Sequence, residues 1–224
     1  GHNPARGIQR FKEEKRDRFL QRDELPRFFK ALEAEENTTL KDCVTCCLFT
    51  GARRSAVQAM KWADLDLAGG YWRIPPEDSK SGVPVILPLS PAVAEILNRR
   101  RETDPTGTWV FPSRSKTGHV VELKTVWSRV IKAAGLEGVR PHDLRRTMAS
   151  WQALLGASET LIGRTLGHAA GSPATSIYAR LSLDPVRASI NAAEAAMVEA
   201  GGDAARKLLP GTNSDEANSD QVID

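Results

Sequence analysis

Between Pro141 and Arg180 the chain sets a His, an Arg, a second His and a Tyr in an order that suits chemistry on a phosphate. His142 and Arg145 are three residues apart, so on a helix they share one face. His168 follows the end of a short apolar helix, and Tyr178 comes ten residues later. A guanidinium is a fixed fork of donors matched to phosphate oxygens. Imidazoles move protons near neutral pH, and a hydroxyl is the nucleophile. Each residue also has an ordinary reading. His142 suits a helix start, His168 a helix C-terminus where the dipole favours a cation, and Tyr178 the edge of a core.

Two upstream clusters extend the set. Gly51-Ala52-Arg53-Arg54-Ser55 follows an apolar helix, and Asp78-Ser79-Lys80-Ser81-Gly82 has turn composition between two short strands. Taken singly, Arg53 and Arg54 read as a surface pair and Lys80 as a solvated hairpin tip.

The elements that must position these residues are mostly helical. Asp23 is placed to cap a first helix through Leu25, Phe28, Phe29 and Leu32, which share one face. Thr38 or Thr39 opens a second, which ends at Thr50-Gly51, where Gly takes the left-handed position. Tyr71–Ile74 and Val83–Leu87 read as strands. Ser90-Pro91 caps and starts a helix to Arg101. Thr108–Pro112 is extended, and Leu123 to Ala134 is an amphipathic helix closed by Gly135. The helix carrying His142 and Arg145 buries Leu144, Met148, Trp151 and Leu155. Ser158 caps the next, which Gly167 stops. A last helix opens at Asp184-Pro185 and runs through Val186, Ile190, Ala193 and Met197. Arg114, Lys116, His119 and Lys124 surround a polar loop that reads as solvated or as touching phosphates.

The 224 residues suffice for one domain with a core plus tails. Residues 1–21 read as a basic linker or arm, 22–200 as the domain and 201–224 as a disordered acidic tail. In that tail Arg206 and Lys207 stand against Asp203, Asp215, Glu216, Asp220 and Asp224, a net −3 that leaves +6 on residues 1–200. A positive body is compatible with a polyanion partner. Cys43, Cys46 and Cys47 read as buried thiols in an apolar helix. The sequence has no apolar run near the roughly 20 residues of a membrane span. It has no phosphate-binding P-loop and no metal-ligand cluster, so neither cofactor nor metal is expected. The lack of a disulfide framework fits a reducing cytosol.

The ordered set resembles the catalytic domain of the tyrosine recombinases, the phage-integrase family. Gly51-Ala52-Arg53-Arg54-Ser55 is similar to its first box, though Ala56 stands where the family usually has Glu. Met60-Lys61-Trp62-Ala63-Asp64-Leu65-Asp66 resembles the continuation. Lys80 matches the lysine of the family hairpin, and His142–Arg145, Leu166-Gly167-His168 and Tyr178 match the C-terminal signature. The loop from His168 to Tyr178 is one residue longer than in the commonest members. The resemblance covers residues 20–200 and implies a mainly α fold with a small antiparallel sheet (α+β). It implies a site-specific DNA recombinase that cleaves and rejoins strands through a 3′-phosphotyrosyl bond, without metal or ATP, to integrate or excise a phage or mobile element. Tyr178 is then the nucleophile. Arg53 and Arg145 bind the phosphate, Lys80 protonates the leaving oxygen, His142 exchanges protons near the nucleophile, and His168 hydrogen-bonds the phosphate. The partners implied are double-stranded DNA attachment sites, a homotetramer joined through a C-terminal helix, and accessory directionality and DNA-bending proteins. That helix packing on its own domain is an equal account. A type IB topoisomerase or a catalytically inactive DNA-binding relic are the alternatives.

Overall fold

Four apolar side chains at helix spacing start the core. In the computed structural model, which describes residues 17–79, 82–167 and 183–209, α1 (Leu25–Glu33) buries Leu25, Phe28, Phe29 and Leu32. Its main neighbour is the last helix, α8 (Leu183–Leu208). The two approach closely at Gly201, where a Cβ would lie 2.3 Å from the Phe29 ring. Phe29 stacks on Phe49 of α2 (Thr38–Thr50) at 6.2 Å between centroids. Phe28 meets Trp127 of α5 (Lys124–Ala133) at 6.2 Å.

α2 is capped by Asn37, whose side chain accepts from Leu40 N, and ends at Gly51 with φ of 60°. Cys43, Cys46 and Cys47 face the core as free thiols; a hydrogen bond with Cys47 and then burial raise Cys43, burial raises Cys46, and both stay protonated. The short α3 (Arg54–Gln58) leads to an antiparallel sheet of order β1-β2-β3, formed by Leu65–Asp66, Tyr71–Ile74 and Val85–Pro88. Its register pairs Trp72 with Leu87 and Ile74 with Val85, and Trp72, Ile74 and Leu87 are buried. The two-residue β1 is too short to show an alternation in sequence. β3 starts at Val85 rather than Val83, because Pro84 has no N–H to offer a ladder.

α4 (Pro91–Thr103), α5, α6 (Asp143–Leu154) and α7 (Glu159–Thr165) complete the domain. The architecture is mainly α with a small antiparallel sheet, as the sequence implied.

Several local expectations give way to longer-range partners. Asp23 does not cap α1. Glu24 holds that position, its carboxylate bound by Arg18 at 2.7 Å and by Gln21 N at 2.9 Å. Ser90 does not cap α4 with its own side chain. Its hydroxyl bonds Glu194 of α8, and the other oxygen of that buried carboxylate accepts from Ala92 N at 3.0 Å. Leu155 is 51% exposed, because α6 ends one residue before it. Helix α8 continues through Ala205 and Leu208, both buried, into residues the sequence assigned to the tail, bending at Gly202. At the other end Leu20, read as part of the arm, is fully buried. Its N–H donates to Thr147 Oγ1 at 3.0 Å, and Trp151 Nε1 donates to its carbonyl at 3.1 Å.

Candidate active site

Two helix ends and one helix start meet at a pocket. The Gly51 turn closes α2, with Thr50 Oγ1 donating to Cys46 O and accepting from Ala52 N, so the backbone entering α3 is pinned. Arg53 takes the extended position before α3. A Cβ on Gly51 would press on Met148 at 3.1 Å, which brings the end of α2 against α6. That approach lets Arg145, on α6, donate to Gly51 O at 2.8 Å and to Leu166 O at the end of α7. Backbone carbonyls orient a guanidinium and leave its charge unneutralised. Among the described residues no carboxylate pairs with Arg53 or Arg145.

Arg53 and Arg145 line the same pocket, together with Ala52, Ser79, Val85 and Gly167. Burial, and then the nearby charge of Arg53, push Arg145 down to about 10, so it stays a cation at neutral pH. Arg54 is exposed and does not line the pocket. Two uncompensated guanidiniums at one cleft make an anion site. His142 stands at the N-terminus of α6, open to solvent on one side. Partial withdrawal of its ring from water, then the charges of Arg146 and Arg145, hold it below its ordinary 6.5, and its imidazole is neutral at pH 7. Asp143 beside it is buried. It accepts from Arg140 N at 2.8 Å and from Arg146 at 2.7 Å, which fixes the turn that presents His142.

Of the six residues singled out in the sequence, the structure brings Arg53 and Arg145 together and sets His142 within their electrostatic reach. Lys80, His168 and Tyr178 lie outside the described residues. Their neighbours do not: Ser79, before Lys80, and Gly167, before His168, both line the pocket. Leu183, where α8 begins, is five residues past Tyr178. The carbonyls of Gly51 and Leu166 were absent from the sequence reading, since no residue type marks a backbone acceptor. Thr165, also on the pocket wall, was missed as well. It accepts from Gln152 Nε2 at 3.0 Å and has no signal of its own in the sequence.

The phage integrase family model matches residues 18–183, a span that includes every residue of the set. The chain belongs to the phage integrase family. Among its relatives, prophage integrase IntF of Escherichia coli (strain K12) is 29% identical over 177 residues, covering 77% of this chain and 37% of that protein. The integrase of Salmonella phage P22 is 32% identical over 149 residues, covering 61% of this chain and 37% of that protein. The chain therefore spans little more than a third of the length of these two integrases. Among solved structures, a lambda integrase(75–356) dimer bound to a COC′ core site superposes with a TM-score of 0.56 at 24% identity, covering 73% of this chain and 62% of that one. The integrase catalytic fold and the helical domain described above are the same architecture.

Among the described residues, no helix is long and apolar enough to cross a membrane.

Proposed function

We propose that this integrase-family domain carries out site-specific DNA recombination, serving the integration or excision of a phage or mobile element. The observation that carries the reading is the pair Arg53 and Arg145, both without a carboxylate partner among the described residues, on one pocket that Ser79 and Gly167, the sequence neighbours of Lys80 and His168, also line. In the proposed step Tyr178 Oη attacks the scissile phosphorus. A P–O bond forms to tyrosine as the P–O5′ bond breaks, leaving a 3′-phosphotyrosyl link. Arg53 and Arg145 stabilise charge on the non-bridging oxygens. Neutral His142 accepts the phenol proton, Lys80 gives a proton to the departing 5′-oxygen, and His168 hydrogen-bonds the phosphate. The reverse attack by a 5′-hydroxyl rejoins a strand. The bond energy is kept in the phosphotyrosyl ester, so rejoining needs no ATP, and Arg53 and Arg145 take the charge-stabilising role that a metal would otherwise fill.

The substrate is double-stranded DNA at attachment sites, within the bacterial nucleoid. The catalytic unit takes in residues 22–200 together with Leu20 and the end of α8 to Leu208, which pack on it, and the residues before and after are its arm and tail. The assembly is a homotetramer on DNA, served by directionality and DNA-bending proteins. The C-terminal helix packs on its own domain, the other of the two accounts the sequence left open. The test is a nicked suicide substrate. The unsubstituted chain forms a covalent protein–DNA adduct, and Tyr178→Phe forms none while still binding DNA. Tyr71 is the other tyrosine. It sits in β2, so an adduct with Tyr178→Phe removes the assignment.

A further inference from the structure

Gln152 lies seven residues past Arg145 on α6, two helical turns along, so the two side chains share one face. It is fully buried. Its Nε2 donates to Thr165 Oγ1 of α7 at 3.0 Å and to Ser189 Oγ of α8 at 3.0 Å. Thr165 sets the direction of the first bond. Its hydroxyl donates to Leu161 O at 3.2 Å, so it meets Gln152 as an acceptor. Of the seven residues of α7, Thr165 alone is buried. The amide therefore holds α7 at the point where that helix enters the interior.

Thr165 is next to both backbone groups that grip Arg145. It precedes Leu166, whose carbonyl accepts from Arg145 Nη2. Its Cγ2 also lies 3.4 Å from where a Cβ on Gly51 would stand, and Gly51 O accepts from Arg145 Nη1 at 2.8 Å. A shift of Thr165 moves the end of α7 and with it the Leu166 carbonyl.

The amide also works against the fold. Gln152 Oε1 is buried with no partner among the described residues, and an unpaired buried oxygen is destabilising. A methionine has nearly the same length and carries no such oxygen. It would strand no neighbour, since Thr165 keeps its bond to Leu161 O and Ser189 is partly open to solvent. A polar group that packing does not require, aimed at the carrier of the Leu166 carbonyl, has its use at the pocket.

We infer that Gln152 is a positioning residue for Arg145, holding the end of α7 where the Leu166 carbonyl meets the guanidinium. It acts through Thr165 and the backbone and does not touch the phosphate. Its effect on cleavage rests on Arg145 binding the phosphate, as proposed above.

The experiment compares Gln152→Met, Thr165→Val and Ser189→Ala with the unsubstituted chain. One readout needs no DNA: nitrogen NMR spectra of the arginine side chains, with the Arg145 signals identified by their absence in Arg145→Lys. With one Nη on each carbonyl, the guanidinium cannot rotate about Nε–Cζ, so its Nη signals stay separate. Gln152→Met and Thr165→Val are expected to merge them, and Ser189→Ala to leave them separate. The melting temperature of Gln152→Met is expected to hold or rise. Its single-turnover cleavage of a suicide substrate is expected to fall roughly 10-fold at unchanged DNA affinity, within the cost of misplacing a group by about 1 Å. In the Arg145→Lys background the same change is expected to add nothing, because it acts through that guanidinium.

Separate Nη signals in both Gln152→Met and Thr165→Val overturn the inference. So does an equal cleavage loss from Gln152→Met in the Arg145→Lys background. A lower melting temperature with unchanged cleavage makes Gln152 a structural residue and overturns it too. If Gln152→Met does not fold, Thr165→Val removes the same bond from its other side and carries the comparison. Absence of an adduct from the unsubstituted chain removes the cleavage reading, and the arginine spectra then decide the inference by themselves.

Discussion

The junction of α2 with α4 and the pocket at the end of α2 treat arginine in opposite ways. At the junction, buried Asp42 accepts from Arg99 at 2.8 Å and from Arg100 at 3.1 Å. Arg100 also donates to Val110 O at 2.8 Å and lies over the Phe111 ring. One carboxylate is shared there between two guanidiniums, offsetting one of their charges, and the cluster ties α4 to α2. At the pocket, Arg145 is gripped by carbonyls, and among the described residues no carboxylate pairs with Arg53. Carbonyl dipoles fix direction without cancelling charge, so the pocket keeps a cationic field that the fold itself does not use. The cost is visible in Arg145, whose protonated form is disfavoured by burial and by Arg53. Arg187 on α8 repeats the carbonyl grip at Gly69 and Gly70 of the β1–β2 turn, with a mechanical result in place of an electrostatic one. An arginine bound by carboxylate is a strut. One bound by carbonyl remains free to act on an anion or to set a backbone.

The contrast breaks most sharply at Arg145. Arg145→Lys keeps the charge but loses the fork, so only one carbonyl can be satisfied and the phosphate loses a donor. Single-turnover cleavage is expected to fall by roughly 10²–10³-fold, as for loss of one transition-state donor. Undiminished cleavage would remove Arg145 from the phosphate.

Asp42→Ala tests the strut. It strands Arg100 in the interior, and loss of one partner of a buried pair costs about 3 kcal/mol. Denaturant unfolding reads that loss, while the folded variant cleaves at the rate of the unsubstituted chain. A cleavage defect as large as that of Arg145→Lys would mean that the two regions are not separable.

The smallest effect is in pH. His142 titrates below 6.5 because burial and the charges of Arg146 and Arg145 disfavour its cation. Cleavage that needs the neutral imidazole therefore falls on an acid limb centred below 6.5. The sign for stability is the same. The unfolded chain binds the His142 proton more readily than the folded one, so this residue's contribution to stability is lost as pH falls below 6.5. A pH–rate profile checks the first. An acid limb centred above 6.5 would contradict the lowered value.

What the sequence determined by itself is local. The stripe Leu25, Phe28, Phe29 and Leu32 was legible because a helix repeats every 3.6 residues. The stops at Gly51, Gly135 and Gly167 were legible because their positive φ strongly favours glycine. The order of Arg53, Lys80, His142, Arg145, His168 and Tyr178 is written in the chain, and it sufficed to identify the family. What only the tertiary structure decided is who bonds to whom across long separations. Ser90 looked like a cap, yet Glu194 supplies the oxygen for Ala92 N from 102 residues away. Leu20 looked like arm, yet Thr147 and Trp151 hold it to the helix that carries Arg145. Arg187 was an ordinary helix cation until the β1–β2 turn came under it. Spacing records the period of an element and the conformational needs of its ends. It does not record which buried donor will find which distant acceptor, because that follows from packing, and packing is a property of the whole chain.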